Sequence, residues 1–309
     1  MSVRFASALS AVALVAALST PAIAGERQTA DPVPQQDIWQ TDATRRAIAP
    51  VDLATASKAA DDTPAFSVSG SATLTSDYRF RGVSQSDKGM AVQGGITISH
   101  KSGFYVGAWG SNLAGWGTFG GANMELDLIA GYTFSLGNGT LDTGLTWYMY
   151  PSGADTTDFA ELYAKLSGNL GPLGLTAGVA YAPKQEALGN VFPVGRPSNP
   201  GDKEDNLYLT GDATYTIKGA PITLKAHIGY SNGNPGLGPN GTSIAPTGSY
   251  FDWLIGADIT PLEGLTLSVA YVDTDISEAE ASRLRPNFAT SGGKSISDAT
   301  VVFSVTASF

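Results

Sequence analysis

The residues of this sequence that could do chemistry are ionisable side chains recurring at even spacings. Asp77, Arg79 and Arg81 form one set, Glu125 and Asp127 a second, Glu161 and Lys165 a third, and Lys225 and His227 a fourth, with Asp142, Asp212, Asp252 and Asp258 among alternating neighbours. A spacing of two puts side chains on one face of a β-strand. On that face the acids number eight (Asp77, Glu125, Asp127, Asp142, Glu161, Asp212, Asp252, Asp258) and the bases four (Arg79, Arg81, Lys165, Lys225). An aqueous path lined by such a face concentrates cations and repels anions. Two alternatives stand beside this one. The groups neutralise their neighbours and leave little net field, or Arg79 and Arg81 form a basic side opposite the acids and set up a transverse field.

The two histidines, His100 and His227, are the sequence's chance of catalysis. His100 shares an apolar face with Met90, Val92, Ile96 and Ile98 at a strand end, an interfacial position. His227 shares the polar face with Thr223 and Lys225. If the turn over 218–221 pairs Ile217 with Ile222, Asp212 lies opposite His227. An Asp–His pair is two thirds of a triad, but nothing fixes a serine beside it. The expectation is a hydrogen-bonded pair in a lumen, with no catalytic residue. No calcium-loop, His-Glu-x-x-His or phosphate-loop pattern occurs, so no metal and no cofactor is expected. The absence of cysteine excludes disulfides, thiolate zinc sites, a thiol nucleophile and a lipoprotein anchor. A net charge of -10 without clustered Lys and Arg excludes nucleic acid as a partner.

These side chains need strands to hold them, and the sequence supplies the pattern. From Phe66 to the last residue polar and apolar residues alternate with period two. Turn signals divide the alternation into about twelve strands, near 66–81, 90–100, 104–112, 122–134, 140–150, 158–167, 174–183, 205–217, 222–232, 250–260, 265–275 and 299–309. Tight turns at one set of connections alternate with long loops at the other. An even strand number with this asymmetry predicts an all-β fold, a transmembrane antiparallel β-barrel of outer-membrane type with both termini on the turn side. Only 15% of residues are charged, against roughly 25% in soluble chains, and 37 are glycine. A soluble barrel of lipocalin type shows the same alternation with the faces exchanged. Aromatics near strand ends on the apolar face (Tyr78, Phe80, Phe104, Tyr132, Phe134, Phe251) argue for membrane, as an interfacial girdle.

The domain plan has three parts. Residues 1–24 read as a signal peptide, with Arg4, an apolar run over 6–18 and the small-x-small site Ala22-Ile23-Ala24. Residues 25–65, rich in Ala, Asp, Thr and Pro, read as a disordered periplasmic leader; the alternative is a short helix over 37–60 that plugs a pore or binds a partner. Residues 66–309 are the barrel. Its last strand carries Val301, Phe303, Val305, Ala307 and Phe309 on the apolar face. In outer-membrane proteins as a class such an ending, here Phe303 and Phe309, is the signal read by the barrel-assembly machinery, and it also closes the barrel.

The stretch Ser-Asp-Tyr-Arg-Phe-Arg-Gly-Val-Ser-Gln-Ser over 76–86, followed by Gly-Phe-Tyr-Val-Gly-Ala-Trp-Gly-Ser-Asn over 103–112 and Glu-Leu-Asp-Leu-Ile-Ala-Gly-Tyr over 125–132, resembles the TorF-type family of proteobacterial outer-membrane porins. The resemblance runs from about residue 66 to the end and is most specific over the first four strands. It implies a porin without naming a solute.

The expectation is therefore an exported, Gram-negative outer-membrane barrel that passes small hydrophilic solutes or ions passively with a weak cation preference, in contact with outer-membrane lipid. A structural or adhesive barrel is the alternative, and a barrel enzyme such as a phospholipase or protease the remaining one.

Overall fold

The computed structural model describes residues 64–189, 201–237 and 241–309. The signal peptide expected over 1–24 and nearly all of the leader expected over 25–65 lie outside the described residues.

In chain order the strands are β1 (Phe66–Thr75), β2 (Arg79–Phe80), β3 (Val83–Ser84), β4 (Ala91–His100), β5 (Phe104–Asn112), β6 (Met124–Leu136), β7 (Gly139–Met149), β8 (Phe159–Leu170), β9 (Leu173–Gln185), β10 (Glu204–Thr216), β11 (Ile222–Gly233), β12 (Ser249–Leu262), β13 (Leu265–Thr274) and β14 (Thr300–Ser308). β2 and β3 pair only with each other. The other twelve close a barrel in which each pairs antiparallel with its sequence neighbours, and β1 pairs with both β4 and β14. Twelve strands enclose a lumen wider than the side-chain-filled interior of an eight-stranded barrel and narrower than that of a sixteen-stranded porin.

Which face points outward separates the membrane and soluble readings. In β14, Val301, Phe303 and Val305 are 49%, 59% and 45% exposed, whereas Thr306 is fully buried. In β6, Leu128 is 45% exposed and Asp127 is fully buried. The apolar side chains thus face outward and the acids and hydroxyls inward, the reverse of a soluble barrel and the arrangement that lipid requires. Phe104, Tyr132 and Phe134 cluster outside at the turn end, with the Tyr132 and Phe134 rings 4.6 Å apart, as the girdle expectation has it. His100 sits at the same end, its ring 4.9 Å from that of Phe66.

The turn end is built from short connections, three of only two residues, with Gly137, Gly171 and Gly264 at positive φ. At the other end long connections pack inward. Val83, Leu237, Tyr250, Ile276, Ala281, Leu284, Phe288 and Ile296 form one buried cluster there. Part of it comes from a short helix, α1 (Glu278–Ala281), held by a capping box between Ser277 and Glu280.

The first strand departs from expectation. The alternation predicts a strand over 66–81, but β1 stops at Thr75. Ser76 makes a last pair of hydrogen bonds with Phe303 of β14, both 2.9 Å, and the chain then turns into the barrel. Tyr78 and Phe80, expected in the lipid-facing girdle, are instead buried at 0% and 7% exposure. Period-two alternation is common to a wall strand and to a hairpin inside the lumen, so the pattern continued while the element changed.

Candidate functional site

The inward segment is a hairpin. Arg79 pairs with Ser84 and Phe80 with Val83, and the connecting residues Arg81 and Gly82 both have positive φ, 48° and 79°. That is the backbone of a two-residue turn whose twist matches its strands, with glycine in one of the two left-handed positions. Asp77 ties the base: its carboxylate accepts from Arg79 Nε at 2.7 Å, Ser84 Oγ at 2.6 Å and Ser86 Oγ at 3.2 Å. Arg79 also donates through Nη1 to the carbonyls of Gly82, Ile296 and Asp298, at 2.8, 3.2 and 3.0 Å.

From that base the hairpin crosses the lumen. The Tyr78 ring meets Trp109 of β5 at 5.5 Å, and Phe80 meets Tyr148 of β7 at 5.8 Å. The hydroxyl of Tyr250 in β12 donates to the Arg81 carbonyl at 3.0 Å. Arg81 reaches furthest. Its guanidinium bonds Glu161 of β8 at 2.5 Å and Asn206 of β10 at 2.8 Å, and lies 4.0 Å above the Tyr208 ring. In the ring order β1-β14-β13-β12-β11-β10-β9-β8-β7-β6-β5-β4, β9 stands six places from β1 in either direction. β8 and β10 flank it. The hairpin therefore spans the lumen from β1 to the opposite wall.

Beyond Arg81 lies a second buried cluster. His227 and Asp212 are cross-strand partners, with Ile217 bonded to Ile222 as the register argument requires. His227 Nδ1 is 2.7 Å from Asp212 Oδ1, and Nε2 is 3.2 Å from Asp252 Oδ1. Tyr208 donates to Asp252 at 3.0 Å. Gly229 leaves room for this, since a Cβ there would stand 2.1 Å from Tyr208 Oη and 2.6 Å from Asp252 Oδ1. Both ring nitrogens of His227 are engaged, Nε2 also standing 3.2 Å from the Tyr208 hydroxyl, so the group is one buried hydrogen-bonded network.

Towards the turn end Lys225 pairs with Asp258 at 2.7 Å, and Ser268 donates to the same carboxylate at 2.6 Å. Tyr105 donates to Asp142 at 2.7 Å and also contacts Tyr163. Lys165 stands opposite Asp142 in register, 4.9 Å from the Tyr163 ring centre.

All the wall residues expected to face inward do so: Glu125, Asp127, Asp142, Glu161, Lys165, Asp212, Lys225, His227, Asp252 and Asp258. Asp77, Arg79 and Arg81 also lie inside, but on the hairpin and not on a wall strand. The two arginines do not form a basic side facing the acids. Each is engaged by one carboxylate at close range, so the transverse-field alternative is replaced by local neutralisation. Phe303 and Phe309 face outward at 59% and 81% exposure. The sequence reading missed Tyr208, Asn206, Tyr105 and Tyr163. Three of the four were open to it by spacing: Tyr163 lies between Glu161 and Lys165, and Tyr208 and Asn206 lie four and six residues before Asp212 on the same face.

The fold and lumen define a twelve-stranded barrel of outer-membrane type, crossed by a hairpin. Residues 59–309 match the family described as bacterial protein of unknown function (Gcw_chp), and the chain belongs to it. No curated protein matches the sequence. Among solved structures the chain is similar to the KdgM porin, with a TM-score of 0.44 and 11% identity over 78% of this chain and 98% of that one. It is also similar to OmpF of Salmonella typhi in complex with Daunomycin, at 0.36 and 10% over 79% and 97%. The anion-selective porin from Comamonas acidovorans gives 0.38 and 9% over 79% and 99%. Likeness at this level carries no residue-by-residue correspondence.

Proposed function

We propose that the protein is an outer-membrane channel for small hydrophilic solutes, with the hairpin over 76–86 as its constriction. The carrying observation is the inward polar face of a closed barrel, bridged at one level by Arg81 and Glu161. The resemblance of that hairpin's sequence to TorF-type porins supports the reading. Export through the signal peptide, assembly through Phe309 and residence in outer-membrane lipid belong to the same proposal, and so does the absence of enzymatic activity.

Weak cation preference is part of the proposal and has a narrower basis than the residue count gives. Asp77, Glu161, Asp258 and the pair Asp212 and Asp252 each meet a basic group. The net field then comes mainly from Glu125 and Asp127, whose negative charge the described basic groups do not neutralise. Reversal potentials across a salt gradient in planar bilayers test this.

A second reading has its own observation. The long loops carry a buried apolar cluster of their own at the loop end, as in a barrel that serves as a structural or adhesive platform. The same bilayer recording separates the two, because a platform gives no unitary conductance.

A further inference from the structure

Glu125 and Asp127 project into the lumen from β6, two residues apart, at 2% and 0% exposure. Neither has a basic partner among the described residues, and both Asp127 oxygens lack any hydrogen bond. This sets them apart from the ion-paired acids of the wall and hairpin. Removing a charge from water without pairing it is costly, by several kcal/mol for each ion. A lumen that pairs its other carboxylates closely needs something to neutralise these two.

A third group points at the pair. Tyr78, at the root of the hairpin, is fully buried, and its hydroxyl is turned toward Glu125 and Asp127. The Tyr78 ring is held by Trp109, which is the cross-strand partner of Asp127. Two carboxylates and a phenol oxygen thus converge, with an oxygen-only donor set and a formal charge of two. Soft metals prefer imidazole or thiolate, whereas hard divalent cations prefer oxygen donors. Among the described residues no cluster of three or more His, Cys, Asp or Glu has metal-site spacing. Two carboxylates completed by a tyrosine fall outside that pattern, and carboxylates two apart on a strand form no sequence motif.

We infer that Glu125, Asp127 and Tyr78 form a binding site for one hard divalent cation of the calcium type, joining the hairpin root to β6. The site stands whether or not the barrel conducts. A bound ion neutralises the buried pair and links the hairpin root to β6, two places along the ring from the β8 wall that Arg81 reaches.

The test uses the full mature chain, refolded without lipopolysaccharide in a zwitterionic detergent and stripped with chelator. Calcium, magnesium and sodium chlorides are titrated separately, following heat by calorimetry and the unfolding temperature. The expected result is one saturable calcium site per chain, with an unfolding temperature that rises with calcium, since a ligand bound only to the native state stabilises it by mass action. Glu125→Gln with Asp127→Asn abolishes the site and removes the calcium dependence. Tyr78→Phe, which keeps both carboxylates and the ring, weakens binding several-fold and folds even if the double variant does not. Absence of saturable binding in the wild type overturns the inference, as does an equal response to sodium, or a calcium shift unchanged in all variants. Wild-type stability that responds to pH and not to calcium overturns it too, and assigns the neutralisation to protons.

Discussion

Arg81 at the hairpin tip and Glu161 on β8 meet at 2.5 Å, with 3% and 5% of their side chains exposed, across the lumen from the strand that the hairpin leaves. Two consequences follow from the depth of this contact. It holds a transverse element that no ladder of backbone hydrogen bonds joins to the far wall, and it leaves a costly charge behind if either partner is removed.

Arg81→Ala should therefore destabilise the barrel by roughly 3–5 kcal/mol, because Glu161 is left buried without its cation. Adding Glu161→Gln should restore a measurable part of that loss. Urea unfolding of the refolded chain in detergent reads both. If the double variant is as unstable as the single one, the loss comes from the packing of Arg81 against Tyr208 and Phe80 and not from the stranded carboxylate.

The assignment of faces predicts opposite responses from adjacent residues. Leu128→Arg places a charge among lipid tails and should cost about 2–4 kcal/mol near the bilayer midplane. Asp127→Asn, facing the lumen, should be tolerated and in chelator should not reduce stability, since it removes an unpaired charge. Equal losses at both positions would mean that the inside and outside of β6 are exchanged.

The β1–β14 seam that closes the barrel ends at Gly70 and Phe309. They exchange both backbone hydrogen bonds at 3.0 Å, and a Cβ at Gly70 would stand 2.6 Å from Phe309 Cζ and 2.9 Å from the Gly95 carbonyl oxygen. Gly70→Val should overpack this seam by about 1–3 kcal/mol. The visible effect should be a smaller folded fraction in unheated gel electrophoresis. A folded fraction equal to wild type would show that the Phe309 ring moves aside freely.

With divalent cations removed by chelator, cation preference should weaken, and conductance persist, when Glu125, Asp127 and Asp258 are neutralised together. The preference should be larger in dilute salt and nearly lost near 1 M, because the Debye length falls from about 10 Å at 0.1 M to about 3 Å. Reversal potentials at two ionic strengths check this. An anion-preferring wild type at low salt would remove these carboxylates from the path.

The wall of this barrel was open to sequence reading because one physical rule governs each strand: lipid outside and polar groups inside impose period two, and Leu128 beside Asp127 shows it at a single step. The register of Asp212 with His227 could be read as well, since a short turn fixes the pairing of its strands. The hairpin could not. Its residues keep the same alternation, and whether Tyr78 and Phe80 meet lipid or Trp109 and Tyr148 depends on a chain reversal at Arg81 and Gly82. That reversal stays inside because of partners more than a hundred residues away, Asn206 and Tyr250 among them. For the same reason the count of charges overstated the field: pairing partners such as Arg81 and Glu161, or His227 and Asp252, are set by tertiary geometry and not by spacing.

The most direct test of a channel constricted by this hairpin is single-channel conductance in planar bilayers for the wild type and for Arg81→Ala with Glu161→Gln, recorded at low salt. The account predicts small, resolvable, cation-preferring steps in the wild type and larger or longer openings when the contact across the lumen is removed. Insertion of folded barrels with no unitary conductance in either protein, or identical steps in both, would contradict it.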